Sequence, residues 1–200
     1  MTQEDDGWKD YYQKIKGRPP RQLLLDALAC FNNDLEEDRR FAIDLGCGDG
    51  TETALLLERG WDVLAIDGEP ASIEYLLAKV PEEGRAHLRT QVTKFENVTL
   101  APADLIHASF SLPFCRTEHF DTFWAKIVDA VKPGGRFAGQ FFGVRDSWAD
   151  SDDMTFHTED QVRNMFESFV IESFHEQDED GSSASGPKHW HVFTVIARKM

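Results

Sequence analysis

Three glycines and two carboxylates lie together in the stretch DLGCGDG, which ends an apolar run of strand type. The glycines are Gly46, Gly48 and Gly50, and the acids are Asp44 and Asp49. A glycine-rich turn between a strand and a helix usually cradles phosphate, because a backbone without Cβ atoms lets the ligand lie flat on the turn. A carboxylate in that turn would repel phosphate. The combination therefore favours a ligand that brings an ammonium group and lacks phosphate.

The spacing of the glycines also departs from the dinucleotide fingerprint. That fingerprint reads G-x-G-x-x-G, whereas this chain reads G-x-G-x-G, with Thr51 where the third fingerprint glycine should be. S-adenosylmethionine, which joins an amino acid, a sulfonium and a nucleoside, is a ligand of the required kind. The same spacing disfavours a nicotinamide oxidoreductase.

Strand-like and helix-like segments alternate around this turn. The predicted strands are residues 40–45, 62–67, 86–92, 103–110, 136–143, 170–177 and 189–199. The predicted helices begin near residue 20 and at residues 51, 70, 117 and 159, the last after a capping box formed by Thr158 and Gln161. This alternation predicts an α/β domain with a mainly parallel sheet. The last two strands have no helix between them, so we expect an antiparallel pair at one edge, joined by an acidic loop that includes EQDEDG.

The composition and charge of the chain limit the classes of partner that it is expected to bind. It has 200 residues and a formal net charge of −15, with no cluster of basic residues, which argues against a nucleic-acid partner. No apolar run approaches the length of a membrane span, and the polar, acidic N-terminus does not resemble a signal peptide. Cys30, Cys47 and Cys115 are widely spaced, which suits reduced thiols in a cytoplasm. No metal site is predicted, although His189 and His191 share one face of a strand.

Three motifs in the expected order resemble those of the class I S-adenosylmethionine-dependent methyltransferases. They are AIDLGCGDGTETALLLERG, VLAIDGEP and AVKPGGRFAGQFF, and they fall within residues 40–143. The resemblance implies a Rossmann-like, doubly wound sheet of seven strands, mainly parallel, with an antiparallel strand at the C-terminal edge. It also implies one methyltransferase domain over residues 1–200, with residues 21–200 as its core.

The resemblance implies cofactor-binding roles for the residues of the first two motifs. Asp44 and the backbone of the turn would meet the methionine portion of S-adenosylmethionine. Asp67 ends the second strand, where an acid can accept hydrogen bonds from both ribose hydroxyls. The residues implied in these two turns are Asp44, Gly46, Cys47, Gly48, Gly50, Asp67 and Gly68.

The third motif departs from the family pattern. Many members have an acid after the third strand that binds the adenine amine, but the stretch VTKFENV offers Thr93 and Lys94. Lys94 cannot accept a hydrogen bond from that amine. Phe95 can pack on adenine and bind a ring nitrogen through its backbone N–H, or it can be an ordinary core residue.

The strand end at residues 107–115 faces the transferred methyl group in this fold. Ser109, Phe110 and Ser111 are candidates to line the sulfonium, or they are only a strand end and a helix cap. The Asn/Asp-Pro-Pro-aromatic motif of DNA amino-methyltransferases is absent from this position. His107 and His157 are the histidines nearest the expected mouth, and neither is assigned a catalytic role.

The segment before the first helix, GWKDYYQKIKGRPP, is aromatic and basic within an acidic chain. It is similar to N-terminal segments of small bacterial methyltransferases, including tellurite-resistance and thiopurine relatives, that fold over the cofactor. We expect residues 1–20 to form a lid, with Trp8, Tyr11 and Tyr12 facing the sulfonium. Lys14 or Arg18 would pair with the methionine carboxylate. A frayed terminus whose aromatic residues patch the core is the alternative.

Methyl transfer to a small-molecule acceptor by in-line displacement is therefore the predicted function. The residues that would meet the acceptor after the fifth strand are Arg145, Asp146 and Trp148. A protein or RNA methyltransferase is an alternative, as is a cofactor-binding protein that serves as a sensor or partner subunit without catalysis. The sequence names neither the acceptor atom nor a general base.

Overall fold

A computed structural model describes residues 14, 15, 17–31, 39–184 and 186–200 of the chain. In these residues the helices are α1 Gln22–Ala29, α2 Thr51–Glu58, α3 Pro70–Lys79, α4 Thr117–Ala130 and α5 Glu159–Asn164. The strands are β1 Phe41–Leu45, β2 Asp62–Asp67, β3 Leu88–Val92, β4 Ala103–Ala108, β5 Val131–Gly143, β6 Phe156–His157, β7 Phe169–Ser183 and β8 Gly186–Lys199. No described helix has the length and apolar character needed to cross a membrane.

The strands form one sheet in the order β3-β2-β1-β4-β5-β8-β7. Strands β1 to β5 run parallel, whereas β8 is antiparallel to both β5 and β7. This arrangement confirms the predicted Rossmann-like sheet with its antiparallel C-terminal edge. In the described residues the sheet has eight strands rather than seven, because β6 pairs with the end of β5. Strand β6 has only two residues, which is too short for the alternation of apolar and polar residues that predicts a strand from the sequence.

The closing hairpin is longer than predicted. We expected EQDEDG to be a loop, but residues 176–181 continue β7 and pair with β8 as far as Ser183 opposite Gly186. These residues stay exposed or half-buried, so their acidic side chains are solvated as expected. Backbone pairing with β8 overrides the low strand propensity of Asp, Glu and Gly. Strand β5 also begins earlier than predicted, at Val131, before the PGG turn.

Each face of the sheet is covered by helices. One face buries an aromatic cluster that α4 and α5 complete, with Phe123 and Trp124 packed against Phe137 and Phe141 of β5. The other face is covered by α1 and α2, where Leu24 and Leu56 lie fully buried.

Candidate functional site

The candidate site lies where the sheet reverses its order. Strand β1 is followed along the chain by β2 on one side and has β4 on the other. Ligands of open α/β sheets bind at such a switch point, outside the carboxyl ends of the strands. The turns after β1, β2 and β4 meet there, and they contain the cofactor-binding candidates from Asp44 to Phe110.

The glycine turn has a left-handed backbone at each of its glycines. The φ angles are 69° at Gly46, 54° at Gly48 and 76° at Gly50, a region that favours glycine. A Cβ atom at Gly46 would lie 2.3 Å from Cβ of Ser111, and one at Gly50 would lie 2.8 Å from Cα of Leu76. We expected the glycines to make room for a ligand. At Gly46 and Gly50 they make room for neighbouring protein atoms.

A substitution at Gly50 tests this packing. Gly50→Ala should destabilise the protein by about 2–4 kcal/mol, since it adds a collision with the Leu76 backbone to the cost of a left-handed alanine. Gly60 has a similar φ of 83°, but a Cβ atom added there would have no neighbour within 4 Å. Gly60→Ala should therefore cost only about 1–2 kcal/mol. Urea unfolding of both variants measures the difference, and equal losses would contradict the role given to Leu76.

Asp44 is the more buried of the two acids in the turn region, with 2% of its surface exposed. Thr53 Oγ1 donates to one carboxylate oxygen at 2.6 Å, and Nδ1 of His107 lies 2.9 Å from the other. With its proton on Nδ1, the imidazole presents Nε2 as an acceptor. That Nε2 is buried and has no hydrogen-bond partner in the described part of the chain. His107 thus lies beneath the site beside Asp44, a pairing that the sequence analysis did not make.

Asp49 has a structural role. Its carboxylate accepts a hydrogen bond from the Thr51 backbone N–H at 3.3 Å, at the start of α2. Its other oxygen pairs with Lys79 Nζ at 2.7 Å, at the end of α3. Asp49 therefore bonds to the first residue of one helix and ties it to the next. Of the two acids, Asp49 is the one that a lysine side chain already neutralises in the described part of the chain.

Asp67 joins the turn after β1 to the turn after β2. One carboxylate oxygen accepts from the Gly48 N–H and the other from the Glu69 N–H, each at 2.9 Å. Burial raises the pKa of Asp67, although these backbone donors oppose the rise. Gly68 is exposed and lies beside the Lys94 stem. The Cys47 side chain is buried against Leu76 and Ile73, so only its backbone belongs to the turn.

Lys94 and Phe95 follow β3 at the same edge. Lys94 is exposed. The Phe95 ring stacks on Phe123 of α4, with the ring centroids 4.7 Å apart. This is the core packing that the sequence left open as an alternative. The backbone N–H of Phe95 begins the short 3-10 helix Phe95–Asn97, where a helix leaves its N–H groups without helical partners.

The turn after β4 contains a strained residue. Phe110 has a φ of 52°, and it is the only non-glycine residue with a positive φ in the described part of the chain. Gln140 Oε1 accepts from Ser109 Oγ at 3.0 Å and from the Phe110 N–H at 3.1 Å, which holds the turn. Ser111 Oγ donates to the Leu45 carbonyl at 2.6 Å and so fixes this turn to β1. Such strain persists only where the surroundings fix it, often at functional sites.

The described residues before α1 contact elements at the carboxyl edge of the sheet. Lys14 Nζ donates to the Ala184 carbonyl at 3.0 Å at the end of the β7–β8 hairpin. Arg18 forms two hydrogen bonds, of 2.6 and 2.5 Å, to the carboxylate of Glu52 in the first turn of α2. The Arg21 guanidinium lies 4.6 Å from the Phe110 ring centroid. The expected stacking residues Trp8, Tyr11 and Tyr12 lie outside the described residues.

The partner of Arg18 differs from the expected one. We expected Arg18 or Lys14 to bind a carboxylate of the ligand, but in this structure the Arg18 charge meets Glu52, which is only 3% exposed. Burial by itself would raise the pKa of Glu52, but the hydrogen bonds and charge of Arg18 lower it to about 2. Glu52 also accepts from the Arg21 N–H at 3.1 Å. The pair fastens the N-terminal segment to the beginning of α2.

This ion pair predicts a loss of stability in acid. The pKa of Glu52 is lower in the folded than in the unfolded state, so its ionised carboxylate stabilises the fold fully above pH 4.5, its ordinary pKa. This stabilisation is lost as the pH falls towards 2. We expect it to be about 2–3 kcal/mol. Urea unfolding at pH 7, 4 and 3 gives the free energy of unfolding of the natural protein and of Glu52→Gln. The difference between the two proteins should become smaller as the pH is lowered. A difference that stays constant would mean that Glu52 carries no such depressed pKa.

The loop after β5 contains a second buried ion pair. Asp146 and Lys188 form a salt bridge, and their side chains are 0% and 1% exposed. Lys188 Nζ lies 3.8 Å from the Trp148 ring centroid and 4.5 Å from that of Trp190. Burial lowers the pKa of Lys188. We expected Asp146 and Trp148 to meet an acceptor, but they hold the loop against β8.

The remaining candidates have protein partners. Arg145 Nη2 lies 2.7 Å from both Glu176 and Asp178, next to the buried His191. Two carboxylates and a histidine are typical metal ligands, but here the Arg145 guanidinium neutralises the carboxylates. His157 is buried against the Phe120 ring, and burial lowers its pKa to about 4.

Comparisons with known proteins find similarity to methyltransferases. A family described as "Methyltransferase domain" matches residues 42–135. Two relatives are trans-aconitate 2-methyltransferases, from Rhizobium leguminosarum bv. trifolii and Rhizobium etli. Each is 31% identical over 131 residues, which are 64% of this chain and 46% of the relative. The chain thus spans about half the length of these curated relatives.

Solved structures share the fold of the chain. TehB from Haemophilus influenzae has a TM-score of 0.76 at 17% identity, covering 96% of this chain and 67% of TehB. The N-methyltransferase NodS from Bradyrhizobium japonicum, crystallised with S-adenosylhomocysteine, has a TM-score of 0.72 at 16% identity and 99% coverage of both chains.

Proposed function

We propose that the chain is a class I S-adenosylmethionine-dependent methyltransferase and that it transfers a methyl group from S-adenosylmethionine to a small-molecule acceptor. The observation that supports the proposal most is the turn after β1, where a left-handed glycine backbone lies beside the carboxylate of Asp44. We further propose residues 21–200 as the core and residues 1–20 as a lid. The free thiols of Cys30, Cys47 and Cys115 agree with a cytoplasmic protein.

The residues present fit this cofactor. Asp44 lies beneath the glycine turn, and its carboxylate suits a group that brings N–H donors. Asp67 is buried and accepts from two backbone donors and from the Ser72 side chain, which leaves one of the four lone pairs of its carboxylate for a ribose hydroxyl. Phe95 supplies a backbone N–H for a base. The proposed contacts remain Asp44, Gly46, Cys47, Gly48, Gly50, Asp67, Gly68, Lys94, Phe95, Ser109 and Phe110, with Tyr11, Tyr12 and Arg18 from the lid.

The protein's contribution to the reaction is mainly positional. S-adenosylmethionine supplies a methyl group on a sulfonium, which is already an activated leaving group. Holding an acceptor in line and excluding water can lower a barrier by roughly 7–11 kcal/mol. Arg18 and Glu52 hold the N-terminal segment across the site, and Gln140 fixes the turn at Phe110. His107 and His157 are buried, so neither is offered as the base for an acceptor that must lose a proton.

Binding and turnover together test the proposal. Calorimetry should show that S-adenosylmethionine and S-adenosylhomocysteine bind, and that NAD does not. Incubation with methyl-labelled S-adenosylmethionine and a panel of small acids, amines and thiols, trans-aconitate included, should give a labelled product. If the cofactor binds and no panel member, protein or RNA is labelled, the chain is a cofactor-binding protein without catalysis. Tighter binding of NAD would overturn the cofactor assignment.

The ribose role of Asp67 has a separate test. Asp67→Ala should weaken S-adenosylhomocysteine binding by about 1.5–3 kcal/mol, the range for hydrogen bonds to a charged group. The loss should be smaller for the 2′-deoxy analogue, which lacks one of the two hydroxyls. Asp62→Ala, at the other end of β2, is the matched control and should leave both dissociation constants unchanged. An equal loss for both ligands would mean that Asp67 acts only by holding Gly48 and Glu69.

A further inference from the structure

His107 is the buried histidine that lies beside Asp44 beneath the glycine turn. We propose that it is a positioning residue, which holds the Asp44 carboxylate so that the site selects a cofactor with an ammonium group; this role rests on the proposed function. The two residues are partners in the register of β1 and β4, with side chains that are 1% and 2% exposed. Each is the last residue but one of its strand, so their contact joins the turn after β1 to the turn after β4.

Two donors from different elements fix the plane of the Asp44 carboxylate. Nδ1 of His107 lies 2.9 Å from one oxygen, and Thr53 Oγ1 of α2 donates to the other at 2.6 Å. A carboxylate that is held at both oxygens cannot turn about its Cβ–Cγ bond, so its orientation does not have to be fixed when a ligand binds. A carboxylate has about four lone pairs, and these donors use one on each oxygen, which leaves one on each for a ligand.

The donors to Asp44 differ from those of the neighbouring acids. Asp49 pairs with Lys79. Glu52 pairs with Arg18, so each of these two acids already has a cationic partner. Within the described residues, Asp44 has a hydroxyl and an imidazole as its donors instead. Such donors satisfy a buried carboxylate without bringing a permanent positive charge, so the negative charge is left for a cationic ligand to neutralise.

The imidazole form that fits these contacts is the neutral one. The Asp44 carboxylate accepts, so the ring proton must lie on Nδ1. Nε2 is buried and has no hydrogen-bond partner in the part of the chain that the structure describes. A second proton on Nε2 would therefore make a buried donor without a described acceptor, which carries the cost of an unmade hydrogen bond. Glu52 is the other acid whose charge acts on His107, and Arg18 already meets that charge.

Calorimetry with two ligands tests the role. The first ligand is S-adenosylhomocysteine, and the second is its analogue in which hydrogen replaces the α-amino group. The natural protein should bind the first at least about tenfold more tightly, because only that ligand brings the ammonium group. His107→Leu should remove most of this preference by weakening S-adenosylhomocysteine binding, with a change of less than about threefold for the analogue. An equal loss for both ligands would mean that His107 only supports the fold.

Two amide variants identify the imidazole nitrogen that acts. His107→Asn places its side-chain nitrogen near the position of Nδ1, so it should keep the preference to within about threefold of the natural protein. His107→Gln reaches the position of Nε2 instead and should lose the preference as His107→Leu does. Because both variants are polar, their comparison decides the matter even if His107→Leu does not fold. Loss of the preference in His107→Asn, or its retention in His107→Gln, would overturn the proposal.

His87 supplies the matched control. Its Nδ1 lies 2.7 Å from the Asp62 carboxylate at the amino end of β2, so His87→Leu also removes a histidine from a carboxylate. This variant should keep the full preference between the two ligands. The ¹⁵N NMR signals of the His107 ring in the natural protein should show the proton on Nδ1. A proton on Nε2 would contradict the donor assigned to Asp44.

The outcomes also separate this role from the proposed function. Failure of the natural protein to bind S-adenosylhomocysteine would reject the proposed function, and the role of His107 with it. Binding of both ligands without a preference for the amino group would leave the cofactor assignment intact. That result would reject only the selection of an ammonium group by Asp44 and His107.

Discussion

Replacing Lys188 with alanine should destabilise the protein by about 3–5 kcal/mol, because it leaves a buried carboxylate without its counter-ion. Asp146 has no exposed side-chain surface, and its oxygens also accept from the Trp148 N–H at 3.0 Å and the His191 N–H at 3.3 Å. The loss of the ammonium group from the faces of Trp148 and Trp190 adds to the cost. Urea unfolding monitored by tryptophan fluorescence measures the change.

Two further variants separate charge burial from packing. Lys188→Met combined with Asp146→Asn removes both charges and keeps an acceptor for one of the two backbone donors, so we expect it to recover at least half of the lost stability. Arg145→Ala removes an exposed cation from the same loop and should leave stability nearly unchanged. If the double variant is no more stable than Lys188→Ala, the unpaired charge is not the cause of the loss.

Removing residues 1–18 should reduce turnover about a hundredfold and weaken S-adenosylhomocysteine binding. The described part of this segment spans the site from Ala184 at the hairpin to Glu52 at α2. Without it, water enters and the reacting groups are held less tightly in line, which can cost about two orders of magnitude in rate. Single-turnover rates and calorimetry measure the two effects separately.

The truncation must be made so that the core still folds. Removal of Arg18 alone would leave Glu52 as a buried, unpaired carboxylate, so the truncated chain should also carry Glu52→Gln. The matched control is Glu52→Gln in the full-length chain. Similar activity in these two proteins would show that the segment is not a lid. Similar thermal unfolding is required for the comparison, and we expect it because α1 and β1 begin beyond residue 18.

The sequence alone determined most of the elements, although it missed β6, the start of β5 and the end of β7. The glycine turn, the acid that ends β2 and the helical stripe of Phe123 and Trp124 are local patterns, readable because periodicity and turn chemistry act over a few residues. The Thr158–Gln161 capping box is another, and the structure has both of its hydrogen bonds. Such patterns were sufficient to predict the sheet and to propose a site at its carboxyl edge.

Only the tertiary structure decided which side chains meet at that edge. Asp44 and His107 are 63 positions apart and pair because β1 and β4 are neighbours in a register that places them side by side. Arg18 with Glu52, and Lys188 with Asp146, are likewise separated by 34 and 42 positions. A periodic pattern specifies which face a residue occupies but not the residue opposite. That partner is set by strand order and register, which depend on the packing of the whole sheet.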